Sequence, residues 1–259
     1  MTYTEILTPQ AEEISNPVSR VPEVTPGFWL IKLMAVTMGE TAADFLAVNL
    51  GLGLTATTIL MSAILALVMR WQFSQRRYVP AVYWSAVVLI SIVGTLITDN
   101  MTDNLGIPLI DSTVAFTLLL GGTFAAWFAS ERSLSIHEIY TTKREGFYWL
   151  AILFTFALGT AVGDLISEQF GIGYLGTGIL FGLIIASLAA GYVTFRLDGL
   201  WAFWLCYIFT RPLGASFGDL LSQPLDYGGL GFGTIPTSLG FLVVIAITVA
   251  AMTVSRRKV

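Results

Sequence analysis

Trp29, Trp84, Trp149 and Trp204 each stand ten residues before a glycine (Gly39, Gly94, Gly159, Gly214) and fifteen before an aspartate (Asp44, Asp99, Asp164, Asp219). Successive tryptophans are 55, 65 and 55 residues apart, so the chain is a fourfold internal repeat. Any fold it adopts has to place one local geometry four times. The rest of each unit is apolar: of 259 residues, 55% are hydrophobic and 12% charged, and the mean hydropathy is +0.77. Those values suit a polytopic membrane protein better than a water-facing domain. Eight apolar runs, 27–48, 52–70, 81–100, 110–130, 147–167, 174–194, 200–221 and 236–254, each approach the roughly 20 residues that cross a hydrocarbon layer. The expected fold is an all-α membrane protein of eight transmembrane helices, built from four parallel two-helix repeats. A soluble helical protein is the weaker reading, because these runs leave almost no polar faces.

Charge sets the expected orientation. Arg70, Arg76 and Arg77 follow the second run, Arg132, Lys143 and Arg144 the fourth, Arg196 the sixth, and Arg256, Arg257 and Lys258 the eighth; the turns after the odd runs hold no Lys or Arg. The positive-inside rule then makes both termini cytoplasmic. Lys32, near the start of the first run, is expected to snorkel to that interface. The expected organisation is a cytoplasmic tail (1–26), repeats 1 and 2 (27–130), a cytoplasmic linker (131–146), repeats 3 and 4 (147–254) and a second cytoplasmic tail (255–259). Sequence leaves two packings open: a ring of odd helices with the even ones outside, or two halves. The aromatic clusters around the four tryptophans read most simply as an interfacial belt, with an inner aromatic vestibule as the alternative.

The repeated aspartates fall at the end opposite the basic residues. Glu40 and Asp44, Asp99 and Asp103, and Asp164 and Glu168 are four residues apart, which puts both carboxylates of each pair on one helix face. In the fourth unit Gln223 replaces the second acid after Asp219. Like charges at that spacing repel, and their place in apolar segments is explained if a cation, a proton or Arg211 offsets them. Arg211 lies near the middle of the seventh run and needs a carboxylate, carbonyls or a wet cavity; Glu40 is the first candidate partner. Pro212 beside it is expected to kink or open that helix. Thr57, Thr58, Asp111, Ser112, Thr113 and Thr177, at the starts of even helices, read as caps, with cation ligation as the sharper alternative. Glu40, Asp44, Asp99, Asp103, Asp164, Glu168 and Asp219 are thus the candidate metal ligands, and Arg211 the gating or charge-pairing residue. Oxygen donors of this kind favour hard cations such as magnesium, manganese or calcium.

Other chemistries find little support. Cys206 is the single cysteine, and His137 the single histidine, which excludes an intramolecular disulfide and a multi-histidine site. No Walker motif, HExxH or GxSxG is present, so neither enzyme activity nor a bound cofactor is expected, and nothing points to nucleic acid. The fourfold Trp and Gly frame, the phrase TRPLGASFGDLL at 210–221 and the two-span unit resemble the bacterial membrane proteins built from four copies of the repeat of unknown function DUF347, over nearly all of 28–254. The resemblance implies an integral protein of the bacterial inner membrane and supplies no substrate. The expected function is therefore a transporter or exporter of a cation, with a hard divalent metal such as manganese ahead of protons and other cargoes, driven by an ion gradient or membrane potential. Its expected partners are the lipid bilayer and the cation. The rival reading is a non-catalytic membrane scaffold or regulator. Water reaching the aspartates favours the first, and dry acids satisfied by protein groups favour the second.

Overall fold

The computed structural model describes residues 19–256, with side chains up to Val254. Among them, eight long helices follow in order: α1 (Pro26–Asp44), α2 (Leu54–Ser74), α3 (Pro80–Asp99), α4 (Leu109–Glu131), α5 (Thr142–Asp164), α6 (Gly173–Phe195), α7 (Gly199–Ser222) and α8 (Thr234–Arg256). Local chemistry starts the odd ones. The Thr25 hydroxyl accepts from the Phe28 amide with Pro26 in the first turn, Pro80 opens α3, Thr141 accepts from the Arg144 amide, and the Asp198 carboxylate accepts from the Leu200 and Trp201 amides. These devices satisfy or remove donors that a helix start leaves unpaired. The capping expected at the even helices is not formed: α2, α4 and α6 have no side-chain cap. Thr57, Thr58 and Thr177 instead donate one turn back, to the carbonyls of Gly53, Leu54 and Gly173, the usual satisfaction of a hydroxyl inside a helix.

Three odd helices continue past the repeat aspartate as five-residue π-helices, Phe45–Asn49, Asn100–Asn104 and Leu165–Gln169. α7 instead ends at Ser222, one residue before Gln223 and Pro224, and runs unbroken through Pro212, so the expected local opening there does not occur.

The odd helices close a ring. α1 and α5 each pack on both α3 and α7, while every even helix packs mainly on the odd helix of the next repeat: α2 on α3, α4 on α5, α6 on α7 and α8 back on α1. Of the two packings left open by sequence, the ring is the one formed. The repeat glycines set how closely its helices approach. A Cβ at Gly39 would lie 2.0 Å from Ser91 Oγ, at Gly94 2.8 Å from Phe156 Cβ, at Gly159 2.2 Å from Arg211 Cγ, and at Gly214 2.5 Å from Val36 Cγ1. Each partner stands three residues before the glycine of its own repeat, so one contact is made four times around the ring. Only a residue without a side chain permits that approach.

Burial follows this plan. The outer helices turn large apolar side chains outward, among them Ile59, Leu67, Leu118, Val193, Phe195 and Ile247, which are 64% to 83% exposed. Six helices, all but α1 and α7, are long and apolar enough to cross a membrane. Eight spans are expected from sequence; the two helices that fall short of that hydropathy are α1, which carries Lys32, Glu40 and Asp44, and α7, which carries Arg211 and Asp219.

Two further expectations are corrected at the end of the ring where the odd helices begin. The repeated tryptophans are not a lipid-facing belt. Trp84, Trp149 and Trp204 are buried with Phe28, Tyr83, Tyr148 and Phe203, and Trp29 is half-buried. Their indoles are satisfied inside the protein: Trp84 donates to Tyr78 Oη, Trp149 to Glu145 Oε1 and Trp204 to the Leu134 carbonyl. Four helix starts meet here, so the rings pack on one another, and the hydroxyls of Tyr83 and Tyr148 bond directly. Nor does Lys32 snorkel. It is fully buried, donating from Nζ to the Tyr207 carbonyl at 2.6 Å and lying 4.0 Å from the centre of the Tyr207 ring. A carbonyl and a ring face take the place of water around the ammonium.

The same end is laced by the linker and the N-terminal segment. Arg144 pairs with Glu131 and Glu138, both at 3.0 Å, and Arg20 pairs with buried Glu145 at 2.7 Å. Residues 131–146 hold a short 3-10 turn, Ile136–Glu138, and the first turn of α5. Of the expected tails, residues 1–18 and 257–259 lie outside the described residues.

Candidate functional site

The repeat frame puts Glu40, Thr95, Thr160 and Ala215 at one equivalent position, directly after each repeat glycine. Arg211 connects three of them. Its Nη2 lies 2.8 Å from Glu40 Oε2 and donates to Thr160 Oγ1 at 2.7 Å and to Thr95 Oγ1, whose own hydroxyl donates to Glu40 Oε2 at 3.2 Å. The fourth, Ala215, is one turn along Arg211's own helix and leaves the space open. The guanidinium is fully buried, its stem lies where Gly159 has no side chain, and Phe156 offers a ring face 5.6 Å away. Arg211 Nε and Nη1 have no hydrogen-bond partner among the described residues. The expected Glu40 to Arg211 pair is formed, and the two threonines completing it look in sequence like small packing residues. Superposing the repeats on their tryptophans is the signal that singles them out.

Above this layer lies a cavity of about 650 Å³ lined by Glu40, Asp44, Asp99, Asp103, Asp164, Glu168 and Asp219. All seven carboxylates singled out from sequence are thus brought to one space. They are graded by depth: Asp103 and Glu168 are exposed, Asp44, Asp99 and Asp164 half-buried, and Asp219 and Glu40 buried. Each ring helix, with its π-helical continuation where it has one, contributes. Some of the acids have protein partners. Asp44 accepts from Gln223 Nε2 at 3.1 Å, Asp103 from Thr102 at 3.0 Å and Glu168 from the Tyr174 hydroxyl at 3.3 Å. Gln223, which breaks the acid pattern of the fourth repeat, therefore bridges the first and last repeats. The side chains of Asp99, Asp164 and Asp219 receive no hydrogen bond or ion pair among the described residues. Gly106, Ile107, Pro108 and Leu109, leading into α4, form a less polar wall that the sequence did not signal.

Carboxylates gathered at the mouth of a low-dielectric bundle focus negative potential and attract cations. Among the described residues, however, no group of three His, Cys, Asp or Glu side chains is placed to hold a metal ion. The acids line the space without converging on one point. Thr57, Thr58, Asp111, Ser112, Thr113 and Thr177 are not in the lining.

Four segments of the chain, 27–78, 82–133, 147–197 and 202–258, match the model of a family described as Repeat of Unknown Function (DUF347). No curated protein matches the chain, and no solved structure does.

Proposed function

The chain belongs to the DUF347 repeat family, a name that assigns no activity, and from that premise we propose that it is an integral membrane transporter or exporter of a cation. The observation that carries this reading is the one cavity to which every repeat brings an aspartate, three of the four side chains having no protein partner among the described residues. Carboxylates with little or partial exposure and no protein donors are costly in an apolar bundle unless water or ions compensate them. The exposed rim acids give water and ions access to the deeper ones, which favours a transport site over a scaffold whose polar groups satisfy one another.

Embedding in the bilayer is supported by the six apolar helices and the outward-facing aliphatic side chains. A parallel arrangement of the four repeats, about an axis along the membrane normal, is supported by the recurrence of one glycine contact at one repeat position. Placement in the bacterial inner membrane with both termini cytoplasmic rests on the family resemblance and on the basic residues after the even helices. Arg211 then closes the inner end of the acid cavity, backed by Phe156, Lys32 and the aromatic layer. In this reading it tunes charge and gating, passage requires the Glu40 to Arg211 pair to open, and the protein is not an enzyme. With no ATP-binding motif, the driving force is an ion gradient or the membrane potential.

Flux into and out of proteoliposomes, across a panel of metals including manganese and of organic cations with imposed pH gradients, is the direct test. Asp99→Ala or Asp164→Ala is expected to impair flux at normal abundance. Unchanged flux in both variants removes the acid cavity from the pathway.

A further inference from the structure

Asp219 is 8% exposed and lines the cavity, yet among the described residues no side-chain partner reaches it. Together with Asp99 and Asp164 it forms a set of acceptors on three helices that protein donors leave unused. Among the described residues no three of these acids are placed to hold one metal ion together. A ligand that carries several donors of its own, spaced apart, suits such a separated set. The wall at Ile107, Pro108 and Leu109 adds a second requirement. A hydrated ion gains nothing from hydrocarbon, whereas an aliphatic chain removes apolar surface from water by lying on it. The volume, about 650 Å³, lies among pockets of roughly 300–1,000 Å³ that take small organic ligands.

Building on the cation-transport reading above, we propose that the cavity binds a linear aliphatic polyamine, its ammonium groups on Asp99, Asp164 and Asp219 and its methylenes along Ile107–Leu109. Rim acids Asp103 and Glu168 draw the polycation in, and Arg211 at the floor keeps it from descending past Glu40.

Full-length protein in lipid nanodiscs, titrated calorimetrically with spermidine, putrescine, butylamine and manganese chloride, tests this. Spermidine is expected to bind saturably and at least tenfold more tightly than butylamine. Asp164→Asn and Asp219→Asn should each weaken it tenfold or more, and Ile107→Asn should weaken spermidine while leaving manganese unchanged. Asp99→Asn substitutes for either acid variant that fails to elute as a monodisperse peak. Absent spermidine binding, or equal affinities for spermidine and butylamine, overturns the proposal. Manganese flux in proteoliposomes without polyamine binding would keep the transport reading and remove the polyamine. Polyamine binding with no flux of any cation would do the reverse.

Discussion

A fully buried guanidinium sharing one carboxylate and two hydroxyls is sensitive to the loss of any of them. Arg211→Met should destabilise the protein by about 3 kcal/mol, because it leaves Glu40 as an uncompensated buried charge. The double variant Glu40→Met with Arg211→Met should recover most of that loss, since removing both charges removes the desolvation penalty with the pair. Unfolding in mixed detergent measures both, and a double variant as unstable as the single one would show that the two residues are not coupled. The repeat glycines make a second residue-scale prediction. Gly39→Ala should cost roughly 2 kcal/mol by overpacking against Ser91, whereas Gly121→Ala, where a Cβ meets nothing within 4 Å, should change stability by less than about 1 kcal/mol. Equal melting temperatures for the two variants would contradict the close approach. At this scale the sequence was readable where a charge had no local excuse, as with Arg211 and Glu40. It misled where one pattern serves two environments: a lysine or a tryptophan near a helix start looks the same whether the side chain turns outward, as Trp201 does at 59% exposure, or into the bundle, as Trp84 and Lys32 do.

Apolar runs of sufficient length made the helices legible to within a few residues, because hydrophobic length is a local property. The backbone beyond the aspartates was not legible. The three π-helical continuations are lengthened turns, a feature that recurs at functional sites, and no residue type announces them in FLAVN, NMTDN or LISEQ. Helix partners were equally hidden, since periodicity marks an apolar face without saying what covers it. The observed exchange, each even helix covering the next repeat's odd helix, predicts that half-molecules depend on one another. Chains of residues 1–132 and 133–259, expressed together, should co-purify through α4 on α5, α8 on α1 and the ring itself, and either half alone should be degraded. Two halves that accumulate separately and fail to associate would contradict the interlocked packing.

The whole molecule is a nearly symmetric scaffold around an asymmetric axis: four equivalent glycine contacts enclose one arginine, one lysine and one Glu40. The inner ring closes through α7 on α1, and the outer layer closes through α8 returning to α1, where the Thr41 and Ser238 hydroxyls lie 2.6 Å apart. In a Cys206→Ser background, Thr41→Cys with Ser238→Cys should oxidise to a disulfide, and cleavage in the 131–146 linker should then leave both fragments in one band until reduction. Fragments separating before reduction would count against ring closure. For orientation, cysteines replacing Asp103 and Arg144 should be labelled from opposite faces of a sealed vesicle; labelling from the same face rejects the proposed topology. Ring closure also has a consequence for how the protein is made. Of the eight helices α1 is made first, carrying Lys32, Glu40 and Asp44, yet Tyr207, Arg211 and Gln223, which bond to them, come only with the fourth repeat. Until the fourth repeat arrives, the nascent chain must hold α1 half-covered and without these partners. Such late, long-range pairing is slow and leaves the chain open to quality-control proteolysis, so ribosome stalling or truncation anywhere before α7 should leave no stable product.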